Sequence, residues 1–320
     1  MPATVRLARH AMNTRFELVL HGEDPVALRA AGEEALDEID RLEGQLSLFR
    51  PTSEIAHLNA RASREPVRVT PAVFALLQHA QRLHAETGGA FDITLAPLLR
   101  CWGLLGSTTG RVPGPEELEE VRTRIGMRWI HLNERDLTVR FARDGVMLDL
   151  GAIGKGYAVD RAVEILRDAG IASALLHGGT STAYALGRPP DAAAWQVAVD
   201  GPPRSPGGAR PLLAVVPLRD ESLSVSAVWG KAFQAHGKTC GHVLDPRTAR
   251  PAENAVLAAV VLPSATETDA FSTALLVVGG AGHERIGNLR PDMRTLLVAQ
   301  RPGDERLACE ARGVRLETAA

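Results

Sequence analysis

The chain has 320 residues, 45% of them hydrophobic and 23% charged, with a formal net charge of -2. That profile fits an ordinary globular protein, long enough to bury a core without disulfides. It makes no electrostatic case for nucleic acid or an anionic membrane as partner, and no stretch is long and apolar enough to span a bilayer.

The opening residues lack the apolar run of a signal peptide, so the expectation is a cytoplasmic protein. Residues 5–20 alternate enough to read as one or two strands. Residues 25–46 carry Leu28, Ala31, Ala35, Ile39 and Leu42 near helical spacing, with Pro25 suited to a first turn after Asp24 as cap. Residues 73–87 read as a second helix, closed by Gly88-Gly89. Residues 129–150 read as a hairpin turning at Asn133-Glu134-Arg135-Asp136 and then a strand. Residues 155–169 form a helix with Ala158, Ala162, Ile165 and Leu166 inward, closed by Gly170. Further strands are expected at 173–176, 195–199, 212–218, 222–228 and 255–262, a surface loop at 201–208, a helix at 269–278 and a final strand at 296–300. Cys101, Cys240 and Cys309 are widely spaced and odd in number, which reads as reduced thiols. Interleaved helices with antiparallel hairpins make the fold class α+β, with mixed, mainly antiparallel sheets and packed helices.

Four segments carry candidate chemistry. In Leu148-Asp149-Leu150-Gly151-Ala152-Ile153-Gly154-Lys155-Gly156-Tyr157 a strand runs into a glycine-rich turn and a helix. Gly151, Gly154 and Gly156 allow close backbone approach and positive φ. A helix starting near Lys155 turns free N–H groups toward an anion. The segment is neither a Walker A loop nor a dinucleotide fingerprint, and a tight turn with a surface lysine reads equally well. In Thr268-Asp269-Ala270-Phe271-Ser272-Thr273, Asp269 and Thr273 share a face of a helix start. A carboxylate and hydroxyls suit a hard cation such as Mg2+, and they also suit a plain helix cap. In Gly241-His242-Val243-Leu244-Asp245, His242 has the ordinary pKa range of a general base, or is a hydrogen-bonded structural histidine. Gly88-Gly89-Ala90-Phe91-Asp92, with Pro97 and Trp102-Gly103, fits a loop touching a flat ring, or a helix end with a core Phe.

These pieces, in this order, together with Met12-Asn13-Thr14, Leu46-Ser47-Leu48-Phe49-Arg50, Ser53-Glu54-Ile55-Ala56-His57-Leu58-Asn59 and His242-Val243-Leu244-Asp245-Pro246-Arg247-Thr248, resemble the ApbE family of FAD:protein FMN transferases. The resemblance runs from about Met12 to about Gly280. It implies a single flavin-transferase domain over residues 1–320, with two intertwined lobes around a flavin cleft. It also implies Mg2+-dependent transfer of FMN from FAD to a Ser or Thr hydroxyl of an acceptor protein, with release of AMP. On that resemblance Mg2+ is held by Asp269, Thr273 and the carbonyl of Ala152, with Ser272 nearby. FAD contacts Met12, Phe49, Ala90, Phe91, Asp92, Asp149, Lys155 and Leu244. Lys155 offsets diphosphate charge, and His242 takes the proton of the attacking hydroxyl. FAD hydrolysis to FMN and AMP, and FAD binding without turnover, are the alternatives. The chain departs from the family pattern at Val225-Ser226-Ala227, where Thr-Ser-Gly is usual. It also has Thr180 for an aspartate, Ala249 for a glycine and Thr268 for an alanine.

Overall fold

The computed structural model describes residues 2–106, 110–202, 208, 210–229, 232–235, 238–300 and 307–317. Ala3–Ala11 (β1) and Thr14–Gly22 (β2) pair around Met12-Asn13. Both turn residues are left-handed, at φ 51 and 58, as a two-residue turn between twisted strands requires. Pro25–Leu46 (α1) begins after Asp24, whose carboxylate accepts from the Val26 and Ala27 N–H groups at 2.8 and 3.2 Å. Glu54–Arg61 (α2), the short strand Val67–Arg68 (β3) and Pro71–Glu86 (α3) follow. Gly88 and Gly89, at φ 61 and 77, stop α3. Next come Ala96–Cys101 (α4), Pro115–Arg122 (α5) and the hairpin of Ile130–Asn133 (β4) with Thr138–Phe141 (β5).

Gly154–Asp168 (α6) precedes Ser173–Gly178 (β6), Thr182–Gly187 (β7), Trp195–Asp200 (β8), Leu212–Leu218 (β9) and Glu221–Ala227 (β10). Four short strands form two ladders: Ala232–Ala235 (β11) with Lys238–Gly241 (β12), and Leu244–Asp245 (β13) with Arg250–Pro251 (β14). The chain continues through Leu257–Leu262 (β15), Ala265–Val278 (α7), Gly280–Gly287 (α8), Arg294–Gln300 (β16) and Leu307–Arg312 (β17). The α+β expectation stands, and every strand pairing among the described residues is antiparallel.

Three expectations need correction. The helix expected at 269–278 starts four residues earlier, behind Ser264 as N-cap. The strand expected up to Leu150 does not form. Val146, Leu148 and Leu150 are buried with strand-like alternation, but the Asn59 side chain takes the place of a partner strand. Its amide donates to the Leu148 carbonyl at 2.9 Å, and its carbonyl accepts from the Leu148 N–H at 2.7 Å. The strand at 294–300 is not the last, because β17 pairs with it. Most of the loop expected at 201–208 lies outside the described residues.

The chain divides into two compact units, each assembled from separate stretches. The first takes Met1–Glu43, Ile153–Ala227 and Asn254–Ala320. Its eight-stranded sheet runs β1-β2-β6-β7-β10-β15-β16-β17. Arg9, Phe16, Gly178, Thr182, Ser224, Val260, Thr295 and Arg312 stand opposite one another in register across it. Opposed residues share a face, and this face carries the helices. Arg9 reaches Glu33 and Asp37 of α1 at 3.1 and 2.8 Å. Ser224 Oγ lies 2.8 Å from Thr268 Oγ1 of α7, and Thr295 Oγ1 lies 2.7 Å from His283 Nε2 of α8. α7 is buried nearly all round, with Ala270, Phe271, Ala274, Leu275 and Leu276 at 0% exposure, so it has no solvent stripe.

The second unit takes Gly44–Ala152 and Val228–Glu253. It holds α2 to α5, the three-stranded sheet β3-β5-β4 and the two short ladders. Leu98, Trp102, Val121, Ile125, Leu244 and Ala249 form a core cluster there. Cys101 and Cys309 are free thiols, and burial pushes both up from the ordinary range. Among the described residues no helix is long and apolar enough to cross a membrane.

The start of α7 is held from α6. The Asp160 carboxylate accepts from Ser264 Oγ, the Ala265 and Thr266 N–H groups and Thr266 Oγ1, at 2.9, 2.7, 2.8 and 2.6 Å. An anion at a helix N-terminus is favoured, and buried donors left without it carry a penalty. Asp160→Ala is expected to lower unfolding free energy by about 3 kcal/mol, read from urea denaturation.

Candidate functional site

In the first unit, α6 and α7 bring Lys155, Asp269, Ser272 and Thr273 together. Gly156 explains how the helices come so close. A Cβ at this residue would lie 2.1 Å from the Ala265 carbonyl oxygen. Gly151, Gly154 and Gly156 are not in the left-handed region, so the expectation that these glycines supply positive φ is corrected. At Gly156 the glycine serves helix-to-helix approach.

That approach puts the Asp269 carboxylate, 4% exposed, against the first turn of α6. Its Oδ2 accepts from the Gly156 N–H at 3.0 Å, and its Oδ1 lies 3.7 Å from Lys155 Nζ. One of the free N–H groups at the start of α6 is thereby satisfied, and the helix dipole favours the charge. The sequence reading left this helix end open between an external anion and a plain tight turn. In the structure, the Gly156 N–H is taken by a carboxylate of the chain itself.

One turn further along α7, the Ser272 and Thr273 hydroxyls reach back to the Asp269 carbonyl at 3.1 and 3.2 Å. Ser272 is fully buried and Thr273 half-buried. The donors are all oxygen, with one carboxylate, and they fit a hard cation. Among the described residues no group of three or more His, Cys, Asp or Glu is placed to hold a metal, which leaves hydroxyls and carbonyls to complete any such site. Met12, the other expected residue of this unit, occupies the left-handed β1–β2 turn.

The remaining expected residues belong to the second unit. Ala90 and Phe91 are 1% and 0% exposed. The core-Phe reading of this segment therefore describes Phe91, whose ring is packed in the interior. The loop is tied to itself. Phe91 N–H donates to Thr87 Oγ1 at 3.2 Å, and the Phe91 carbonyl lies 2.9 Å from His84 Nδ1. Asp92 Oδ1 accepts from the Thr94 N–H and hydroxyl at 2.7 and 2.6 Å. Asp92, 6% exposed, lines a cavity of about 280 Å3 with His84, Arg122, Arg128 and Arg247.

Asp149 is fixed beside this loop, its N–H donating to the Ile93 carbonyl at 2.8 Å. Its carboxylate accepts from the Gly151 N–H at 2.8 Å, closing the turn that leads to Ala152. Ala152 is half-buried in that turn, immediately before α6. Phe49 is 57% exposed. His242 is half-buried and follows Gly241, where a Cβ would meet Val228 at 2.9 Å. Leu244 is 3% exposed within the core cluster.

Sequence reasoning missed three supporting residues. Asn59 pins the segment before the glycine turn, Asp160 caps α7, and Ser226 of β10 reaches Ser272 and Thr273 at 2.9 and 3.3 Å. The alternation Ser222-x-Ser224-x-Ser226 was the available signal for the last, because period two places three hydroxyls on one face of a strand.

A profile of the ApbE family matches residues 12–297. The chain belongs to the ApbE family. It is 34% identical over 286 residues to the FAD:protein FMN transferase of Treponema pallidum (strain Nichols), covering 85% of this chain and 78% of that one. It is 27% identical over 272 residues to the Escherichia coli (strain K12) protein of the same name, covering 84% and 76%. Among solved structures, the ApbE protein of Thermotoga maritima matches with a TM-score of 0.86 at 26% identity over 97% of both chains. The apo flavinyl transferase ApbE of Pseudomonas stutzeri matches with a TM-score of 0.83 at 26% identity, over 98% of this chain and 95% of that one.

Two outcomes follow from this geometry. Gly156→Ala is expected to force α6 from α7 and cost about 3 kcal/mol of stability, read from the urea midpoint. Burial pushes the Asp92 carboxyl above its ordinary range, against the opposing pull of His84 and the Thr94 hydrogen bonds. A carboxyl raised in the folded state holds a proton that the unfolded chain gives up. Its stabilising contribution is present below the ordinary carboxyl pKa and is lost as pH rises through the folded value. The non-ionising Asp92→Asn variant is therefore expected to gain on the parent as pH climbs from about 4 toward 7. Urea midpoints across that range check the slope, and a gap that narrows instead means the opposing contacts dominate.

Proposed function

We propose that this chain transfers FMN from FAD to a Ser or Thr hydroxyl of an acceptor protein, with Mg2+ as cofactor and AMP as leaving group. The reading is carried by the buried Asp269 carboxylate, held beside Lys155 and two hydroxyls at the α6–α7 junction, in a chain of the ApbE family. The names of its relatives support the substrate.

Asp269 and Thr273, with the Ala152 carbonyl and Ser272 nearby, would hold the ion. A bound Mg2+ draws charge from the diphosphate oxygens and so eases attack on phosphorus. Lys155 adds a full positive charge beside the same carboxylate and is suited to the charge that develops on the departing phosphate. His242 takes the proton of the attacking hydroxyl. The new bond joins the acceptor oxygen to the FMN phosphorus. The bond that breaks links that phosphorus to the oxygen bridging to AMP, and AMP leaves with the electron pair. Met12, Phe49, Asp92, Asp149 and Leu244 are proposed to line the FAD site. Ala90 and Phe91 contribute through their backbone only, since their side chains are packed away.

The test is incubation with FAD, Mg2+ and an acceptor protein, followed by detection of acid-stable flavin on the acceptor by in-gel fluorescence and mass. Labelling is expected with the parent chain. It is expected to fall at least about 100-fold in Asp269→Asn and His242→Ala. FMN and AMP appearing in solution with every acceptor unlabelled would replace transfer by hydrolysis.

A further inference from the structure

Ser226 is absent from the residues assigned above, yet it touches two of them. Its Oγ lies 2.9 Å from Ser272 Oγ and 3.3 Å from Thr273 Oγ1. Ser272 Oγ in turn donates to the Asp269 carbonyl at 3.1 Å. Each hydroxyl has one proton and two lone pairs. Thr273 has one proton and two acceptors within reach, the Asp269 carbonyl at 3.2 Å and Ser226 Oγ at 3.3 Å. With that proton on Ser226, Ser226 donates to Ser272 and Ser272 to the Asp269 carbonyl. In that direction the Thr273 oxygen accepts from no neighbour among the described residues, and both of its lone pairs are open to an ion. Hydrogen bonds in series polarise one another, so the Thr273 oxygen also becomes the more electron-rich donor.

Without Ser226, the contact from β10 to Thr273 is gone. Thr273 then shares the Asp269 carbonyl with Ser272, and its rotamer is set by a bond within its own helix. Ser224, two residues away on the same strand face, makes a different contact, at 2.8 Å to Thr268 Oγ1. Three serine hydroxyls thus lie along this face of β10: Ser222 and Ser224 contact Thr268, and Ser226 contacts the proposed cation ligands.

We propose that Ser226 is a positioning residue, which fixes the Thr273 hydroxyl with its lone pairs toward the divalent ion. This rests on the metal reading given under Proposed function. The probe is Mn2+, titrated into FAD-loaded protein and followed by the loss of its free-ion electron paramagnetic resonance signal. Ser226→Ala is expected to weaken Mn2+ binding about 10-fold, the scale on which residues behind a metal ligand act. Ser226→Thr, which keeps the hydroxyl, is expected to recover most of that loss. Ser224→Ala loses a buried hydroxyl from the same strand and is expected to keep the parent affinity. Ser226→Cys keeps the volume but replaces the hydroxyl with a weak donor and acceptor. It is expected to behave as Ser226→Ala and serves if the alanine variant does not fold. Equal weakening by Ser224→Ala would reduce the effect to general loosening of β10 against α7 and overturn the proposal. Parent affinity in Ser226→Ala, with binding lost in Asp269→Ala, overturns this inference and leaves the metal reading standing. Parent affinity in Asp269→Ala, or no binding by the parent chain, removes both.

Discussion

A carboxylate taken out of water must be met by donors or by positive charge, or it gives up its own charge. Asp269 is met on both sides, by the Gly156 N–H on one oxygen and by Lys155 beside the other. The backbone donor is within reach only because Gly156 has no side chain to hold the Ala265 carbonyl away. One missing methyl therefore sets the distance between two helices, and that distance sets whether a buried anion is tolerated. For the ion proposed at Asp269 the carboxylate is already oriented, and orientation achieved in the fold does not have to be achieved at binding.

Two clamps hold that junction, and both are polar. Asp160 gathers the first turn of α7 from one side. From the sheet side, Ser222 and Ser224 of β10 bond Thr268, and Ser226 bonds Ser272 and Thr273. An α-helix advances about 5.4 Å per turn and a strand about 6.8 Å per two residues. Serines at every second strand position therefore keep rough pace with hydroxyls four or five residues apart on the helix. An apolar interface of the same area would hold α7 against the sheet but would allow it to slide. Directional bonds fix its register, and the register decides where Asp269 and Thr273 stand.

What could be read from the sequence follows the range of the forces involved. α1 was legible in full, because its apolar spacing, Pro25 and the Asp24 cap are all local. So was the hairpin of β4 and β5. The start of α7 was half legible. Ser264 and Glu267 have the spacing of a capping box, and Ser264 Oγ does accept from the Glu267 N–H at 3.2 Å. The stronger cap, Asp160, is 105 residues from Ala265 along the chain. The false strand at 148–150 failed for the same reason. Its alternation is real, but a side chain 89 residues away supplies the pairing. The resemblance put Asp269, Lys155 and Thr273 in one site without saying what holds them there. Ser226, Asn59 and Asp160 act through contacts that only the fold creates.

The departures from the family pattern fit the same physics. Thr268 stands where alanine is usual, and a hydroxyl buried without partners would be costly. Here Ser222, Ser224 and the Ala265 carbonyl, at 3.1, 2.8 and 3.0 Å, absorb it. Ala249 stands where glycine is usual, and its φ of 58 is in the left-handed region, at a cost of roughly 1–2 kcal/mol. Its methyl is wholly buried in the Trp102 cluster, worth about 0.8 kcal/mol for a group of that size. Alanine also restricts the unfolded chain more than glycine does, which returns about another 0.5 kcal/mol. The sum is close to zero, and the bonds that hold the turn remain, from the Ala249 N–H to the Asp245 carbonyl and from the Trp102 indole Nε1 to the Ala249 carbonyl. Both substitutions are offset within their own unit by residues that touch them, so neither needs any adjustment at Asp269, Lys155 or Thr273.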